Sequence, residues 1–371
     1  GFEGFKEDIL FLKHNNPRAL LAVVSNKIFK KKPKNITAVT GTNGKSSIAD
    51  FYLQILNLNN LKSASIGTLG VKSTGYKLKT ENTTPDILST NKILEKLSEK
   101  KINNVIIEAS SHGLDQHRLD GIYFDTGIFT NFTRDHLDYH KSYKSYLNAK
   151  LILFKRLMKN KGLAVYEDKF NELISLKKII NKNKLKTFVL GKRDNLKIIR
   201  HQYFKNYQSI NIIFNNQKFY FKTSLIGKVQ IKNLLMAVIA ASKVLSIRKI
   251  INSLETVKSV NGRFEEIGKI RNLSRVILDY SHTPDALRTC INDIKDQFNL
   301  SNISIVFGCG GERDKSKRQI MGKIANELCQ RIYLTDDNPR NENPMAIRNQ
   351  IKKKINKNKL FEIPSRNLAI R

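Results

Sequence analysis

The stretch that most limits what this chain can fold into is Ile36-Thr37-Ala38-Val39-Thr40-Gly41-Thr42-Asn43-Gly44-Lys45-Ser46-Ser47, followed by Ile48-Ala49-Asp50-Phe51-Tyr52-Leu53. A β-branched apolar run breaks into a glycine loop and then into a helical segment, the order of strand, loop and helix that a phosphate cradle needs. Gly41 and Gly44 let backbone amides approach an anion, Lys45 adds positive charge, and the Ser46 hydroxyl suits magnesium. The loop is shorter than the usual signature, because Val39 stands where its first glycine would be. An ordinary strand-to-helix turn is the plainer alternative; the flanking elements favour nucleotide phosphate binding.

At 371 residues the chain exceeds one typical core, which predicts two or three domains. No apolar run approaches the roughly 20 residues of a membrane span, so a soluble protein with no membrane partner is expected. Cys290, Cys309 and Cys329 lack Cys-x-x-Cys spacing, which argues against zinc and disulfides and fits a reducing, cytoplasmic location. The start, Gly1-Phe2-Glu3-Gly4, resembles neither a signal peptide nor an initiator methionine, and a fragment of a longer chain is expected.

The formal charge of +34, from 66 Lys and Arg against 32 Asp and Glu, raises nucleic-acid binding as a first thought. The lysines, however, travel with asparagine and isoleucine throughout, as in Lys30-Lys31-Lys32 and Asn181-Lys182-Asn183-Lys184. That pattern reads as compositional background, and no aromatic-interleaved patch accompanies it. No nucleic-acid partner is expected.

Further along, polar clusters follow apolar strands. Ala64 to Thr68 reads as a short strand and turn, and Glu81-Asn82-Thr83-Thr84-Pro85-Asp86 as a polar loop whose threonines serve a ligand or simply cap the next helix. A buried-type strand ends in Glu108 and opens into Ala109-Ser110-Ser111-His112-Gly113. Strands of α/β sheets put their carboxyl ends at the ligand crevice, so Glu108 should emerge beside the phosphate loop as a magnesium ligand, or else merely cap its strand. Residues 124–130 form another strand, emptying into Asn131-Phe132-Thr133-Arg134-Asp135-His136-Leu137-Asp138-Tyr139-His140. Two histidines and two aspartates so close together point to a metal or phosphate role. In the helix that follows, Lys150 shares a face with Tyr143, Tyr146, Ala149 and Phe154. An ammonium there must be paired or chemically altered, unless it snorkels to the surface.

Residues 163–221 read as a small antiparallel appendage with a hairpin across Asn215-Asn216-Gln217, and Gly227 opens a helix running to Leu245. After Asn261-Gly262-Arg263-Phe264 a second strand and helix series begins, with polar clusters at residues 279–285, 308–315 and 336–340. The expected fold class is α/β: a central P-loop-type parallel sheet domain with the antiparallel appendage, then a Rossmann-like C-terminal domain. The crevice rule applied to both domains puts the reaction between them.

Taken together, these stretches resemble the Mur ligases of peptidoglycan synthesis, from about Pro17 to the last residue. The motifs in order are Gly41-Thr42-Asn43-Gly44-Lys45-Ser46, Asn82-Thr83-Thr84-Pro85-Asp86, residues 108–118, 131–140, 279–287 and 308–318, and Asp337-Asn338-Pro339-Arg340. The resemblance implies an ATP-dependent ligase of the branch that adds meso-diaminopimelate to UDP-MurNAc-L-Ala-D-Glu, with Mg2+. It implies a remnant of a UDP-binding domain over 1–16, an ATP-binding domain over 17–258 and an incomplete amino-acid-binding domain over 259–371.

By the same resemblance, Lys45, Lys150 and His282 are catalytic. ATP is held by Gly41, Thr42, Asn43, Gly44, Lys45, Ser46, Ser47, Asn233, Arg263 and Asp279. Ser46, Glu108, His136 and Lys150 are the metal ligands, with Lys150 carbamylated. Asn82, Thr83, Thr84, Ser111, Gln116 and Arg118 face the UDP-sugar dipeptide, and Arg313, Asp337, Asn338 and Arg340 the incoming amino acid. Arg340 can pair with the far carboxylate of diaminopimelate, which lysine lacks. A monomer is expected.

Lys228-Val229-Gln230 departs from the family's aromatic and asparagine pair, and the chain ends before its Gly-Lys-Gly-His-Glu segment. The rival readings are another ligase of the superfamily, such as a folylpolyglutamate synthetase, a P-loop ATPase acting on nucleic acid, and an inactive remnant.

Overall fold

The computed structural model describes residues 4–6, 9–169, 172–270, 274–299 and 302–371. Residues 1–3 and 7–8 of the expected N-terminal remnant therefore lie outside the described residues. The chain divides into two units, the first made of Gly1–Asn131, Leu147–Lys192 and Met236–Ile250, the second of Phe132–Tyr146, Arg193–Leu235 and Ile251–Arg371.

In the first unit the strand Asn35–Thr40 lies between Asn104–Glu108 and Phe124–Phe129, parallel to both. Ser63–Gly67 extends the parallel sheet on one side, followed by antiparallel Gly70–Ser73 and Tyr76–Leu78. Met158–Glu167 and Lys186–Leu190 extend it on the other. Ile36, Ala38, Val39, Val105, Ile106, Ile107 and Ile128 are all buried, the unbroken apolar lettering of strands covered on both faces. The helix Lys45–Leu58 buries Ile48, Phe51, Tyr52, Ile55 and Leu56. The reading of residues 163–221 as wholly antiparallel is thus corrected for its first part. Two of those strands are joined by Leu173–Lys182, an amphipathic helix burying Leu173, Leu176 and Ile180, whose lysines and asparagines disguise it as loop.

In the second unit Leu196–Tyr203, Gln208–Phe214 and Gln217–Thr223 form the antiparallel meander. Asn215 and Asn216 both take positive φ, 46° and 63°, so a two-residue turn joins the last pair and Gln217 belongs to its strand. The helix from Gly227 covers Lys228–Ala241 and stops short of Leu245. Ser304–Phe307, Arg331–Leu334 and Leu360–Glu362 make a parallel sheet. Leu287, Ile291, Ile324, Ile332, Leu334, Ile347 and Ile351 fill the core against it. Ser274–Leu278 pairs instead with Glu265–Ile270, antiparallel; it is nowhere fully buried, as suits a two-stranded ribbon. Among the described residues no helix is long and apolar enough to cross a membrane.

Candidate active site

The phosphate loop is held by its backbone. Gly41 has φ 141° and Gly44 φ 87°, and a Cβ on Gly41 would lie 1.9 Å from Thr130 Oγ1. The Thr42 amide donates to the Asn131 carbonyl at 3.0 Å, the Asn43 amide to Asn131 Oδ1 at 2.9 Å and the Thr130 hydroxyl to the Asn43 carbonyl at 2.6 Å. Gly44 caps the helix without a side chain, so the first turn presents its amides and the positive end of its dipole at the loop. Lys45 Nζ donates to the Gly41 and Thr42 carbonyls at 2.9 and 2.8 Å. Lys150 is only 1% exposed, and its Nζ donates to the same Gly41 carbonyl at 2.7 Å. The snorkelling alternative for Lys150 is therefore removed.

Glu108 emerges beside this loop, as the crevice rule requires. Its buried carboxylate accepts from the Ser46 hydroxyl at 2.9 Å, the Thr68 amide at 2.9 Å and the Thr68 hydroxyl at 3.2 Å. Gly67 makes room for it, since a Cβ there would lie 2.0 Å from Glu108 Oε1. No cage of three His, Cys, Asp or Glu side chains exists among the described residues. A hydroxyl and a carboxylate beside a phosphate loop nevertheless fit magnesium, which takes one or two carboxylates and completes its shell with phosphates and water.

Thr68 Oγ1 also lies 3.0 Å from Thr83 Oγ1. Thr84 is fully buried, and its hydroxyl donates to the Glu108 carbonyl at 2.6 Å. Asp86, accepting from the Ser89 amide, caps the helix Ile87–Glu99, so neither threonine is spent on the cap. Arg118 Nη1 donates to the Thr84 carbonyl at 2.7 Å and Nη2 to Gln116 Oε1 at 2.6 Å. The buried Ser111 Oγ has no hydrogen-bond partner among the described residues, and Asn82 is exposed. Of the residues expected to face the sugar dipeptide, Thr83, Thr84, Gln116 and Arg118 are thus linked by hydrogen bonds to the Glu108 strand end.

In the second unit, buried Asp135 stands 3.3 Å from His136 Nε2 and 3.3 Å from His282 Nε2. Burial alone would raise its pKa; the His282 hydrogen bond and the positive charges of His136, His282 and Lys317 hold it well below the usual range instead. Lys317 Nζ donates to the His282 carbonyl at 2.8 Å. Asp279 accepts from the Phe264 and Ser281 amides, both at 2.9 Å. Arg263 lies over the Tyr280 ring, and Asn233 is buried on its helix. In the C-terminal loops, Arg340 Nη1 donates to the Gly311 carbonyl at 2.5 Å and the Arg340 amide to Asn338 Oδ1 at 3.1 Å. Asp337 accepts from the Asn338 amide, and Arg313 stands 3.9 Å from Asp138.

Thr68, Asn131, Asp135 and Lys317 were not singled out one by one from sequence, although each lies inside a stretch quoted there: residues 64–68, 131–140 or 308–318. They carry no spacing signal of their own, because partners distant in sequence define their contacts.

The middle domain of the Mur ligases matches residues 39–241, and the Mur ligase glutamate ligase domain matches residues 262–371. The chain is 42% identical over 351 residues to a protein of Rickettsia bellii (strain RML369-C) named UDP-N-acetylmuramoyl-L-alanyl-D-glutamate--2,6-diaminopimelate ligase, covering 92% of this chain and 73% of that one. A solved structure of a ligase with that name is 28% identical, with a TM-score of 0.69 over 97% of this chain and 74% of the other. Mycobacterium tuberculosis folylpolyglutamate synthase, complexed with ADP and AMPPCP, shares the fold at 13% identity, with a TM-score of 0.79 over 95% of this chain and 86% of its own. With both domain matches and this identity, the chain belongs to the Mur ligase family.

Proposed function

We propose that this protein is an ATP-dependent ligase of peptidoglycan precursor synthesis. It joins meso-diaminopimelate to the D-glutamyl γ-carboxylate of UDP-N-acetylmuramoyl-L-alanyl-D-glutamate. The observation that carries the reading is the buried Glu108 against Ser46 at the mouth of a phosphate loop whose Gly41 carbonyl takes both Lys45 and Lys150. Residues 17–258 form the ATP-binding domain and residues 259–371 the amino-acid domain, and the protein acts as a cytoplasmic monomer.

The loop amides of residues 41–47 cradle the ATP phosphates, and Lys45 leaves its carbonyl partners to neutralise the γ-phosphate. Ser46 and Glu108 would hold magnesium, with a carbamylated Lys150 as a further ligand. Bound there, magnesium supplies charge neutralisation for phosphoryl transfer. Carbamylation turns a buried cation into an anion suited to that role. Asn82, Thr83, Thr84, Ser111, Gln116 and Arg118 orient the nucleotide dipeptide, and Asn233, Arg263 and Asp279 hold the nucleoside of ATP. The γ-carboxylate attacks the γ-phosphorus, ADP leaves, and an acyl phosphate forms. The amine of diaminopimelate, held by Arg313, Asp337, Asn338 and Arg340, then displaces phosphate and gives up a proton, giving the amide. Positioning and charge neutralisation do the work, so no nucleophilic side chain is needed.

The test is product analysis with ATP, Mg2+, the nucleotide dipeptide and either diaminopimelate or lysine. A tripeptide product with diaminopimelate and little with lysine is expected. Equal turnover of the two amino acids contradicts the role given to Arg340.

A further inference from the structure

Arg318 is the bulkiest fully buried side chain among the described residues, 1% exposed, and it lies outside the machinery described above. Its two terminal nitrogens donate to the two Glu342 carboxylate oxygens, each at 2.9 Å. Nη1 also donates to Gln350 Oε1 at 2.8 Å, and Nη2 to the Gly310 carbonyl at 3.3 Å. Glu342 in turn accepts the Glu312 amide at 2.5 Å. One ion pair, buried on its Arg318 side and half-buried on its Glu342 side, therefore pins the loop of residues 308–313 to that of residues 337–342.

Between these loops the backbone packs without slack. A Cβ on Gly311 would lie 1.9 Å from the Pro339 carbonyl oxygen, and the Gly311 amide donates to the Asn338 carbonyl at 2.9 Å. The Gly311 carbonyl is also where Arg340 anchors its guanidinium. Arg340 has φ 50°, a left-handed backbone that an arginine keeps only when its surroundings enforce it.

With Arg318 taken wholly out of water, such a pair is seldom worth more to stability than two apolar side chains of the same volume. Geometry is what such a pair supplies, since a planar fork fixes distance and angle together. We infer that Arg318 and Glu342 are positioning residues for amino-acid selection, holding Gly310 and Gly311 so that Arg340 meets a second carboxylate on the incoming amino acid. This rests on the substrate reading above. The Arg318 hydrogen bonds keep the Glu342 carboxyl at about 2, so the pair stays charged at any working pH.

The experiment measures steady-state kinetics for Glu342→Gln and Arg318→Lys with diaminopimelate and with lysine. KM for diaminopimelate should rise about tenfold and the preference for it over lysine fall by a similar factor. KM for ATP and for the nucleotide dipeptide should not change. The double variant Arg318→Met/Glu342→Leu, an apolar replacement of similar size, should keep its melting temperature and still lose selectivity. Unaltered KM and selectivity in these variants, with only lower melting temperatures, overturns the inference. So does a double variant that regains wild-type selectivity. If the wild-type protein itself does not prefer diaminopimelate, the substrate reading fails first and this inference falls with it.

Discussion

Gly67 matters through the atom it lacks. Replacing it with alanine puts a Cβ 2.0 Å from Glu108 Oε1, so the carboxylate must leave the Ser46 and Thr68 donors. A shift of about 1 Å in such a group costs on the order of 10²-fold in rate. Gly67→Ala should therefore lower kcat by that factor with little change in melting temperature; wild-type kcat would show that Glu108 does not act where it stands. Lys150 gives a second prediction at this scale. Lys150→Ala should lose nearly all turnover and regain part of it with added acetate or formate, whereas full activity without rescue rules out the carbamate. Sequence pattern finds Lys150 and Glu108 because each is an unexpected charge in an apolar setting. It does not find Thr68, whose role comes from a strand end forty residues away in sequence.

The elements nearest the chemistry were the legible ones. Asn35–Thr40 with Lys45–Leu58, Asn104–Glu108, Phe124–Phe129 and Arg331–Leu334 each announce themselves by a short stretch rich in apolar residues breaking into polar ones. Thr187–Leu190 also reads as a strand, but its parallel pairing with Met158–Glu167 is not legible, because the intervening helix is written in the same lysine and asparagine as the loops. Ser274–Leu278 has the lettering of a sheet strand but never the burial. Register and partner are tertiary properties, and periodicity alone cannot supply them. The loop pair 308–313 and 337–342 carries a pH prediction. Glu342 falls from an ordinary value of 4.5 to about 2 in the folded state, so its contribution to stability is complete above about 4.5 and is lost as pH drops toward 2. Acid melting curves of Glu342→Gln should flatten across that window relative to wild type, and parallel curves for the two proteins would contradict the pairing.

At the scale of the whole molecule, the charge of +34 is the one feature that the ligase reading does not use. If it is compositional background, phosphate release from ATP should be indifferent to random DNA at moderate salt. Stimulation that collapses steeply as salt rises would mark a nucleic-acid enzyme instead. The most direct measurement of the central claim uses a nucleotide dipeptide labelled with heavy oxygen in its glutamyl γ-carboxylate. Activation through an acyl phosphate predicts that one labelled oxygen per turnover appears in the released phosphate, and only when ATP, the dipeptide and diaminopimelate are all present. Unlabelled phosphate, or release without the dipeptide, contradicts it.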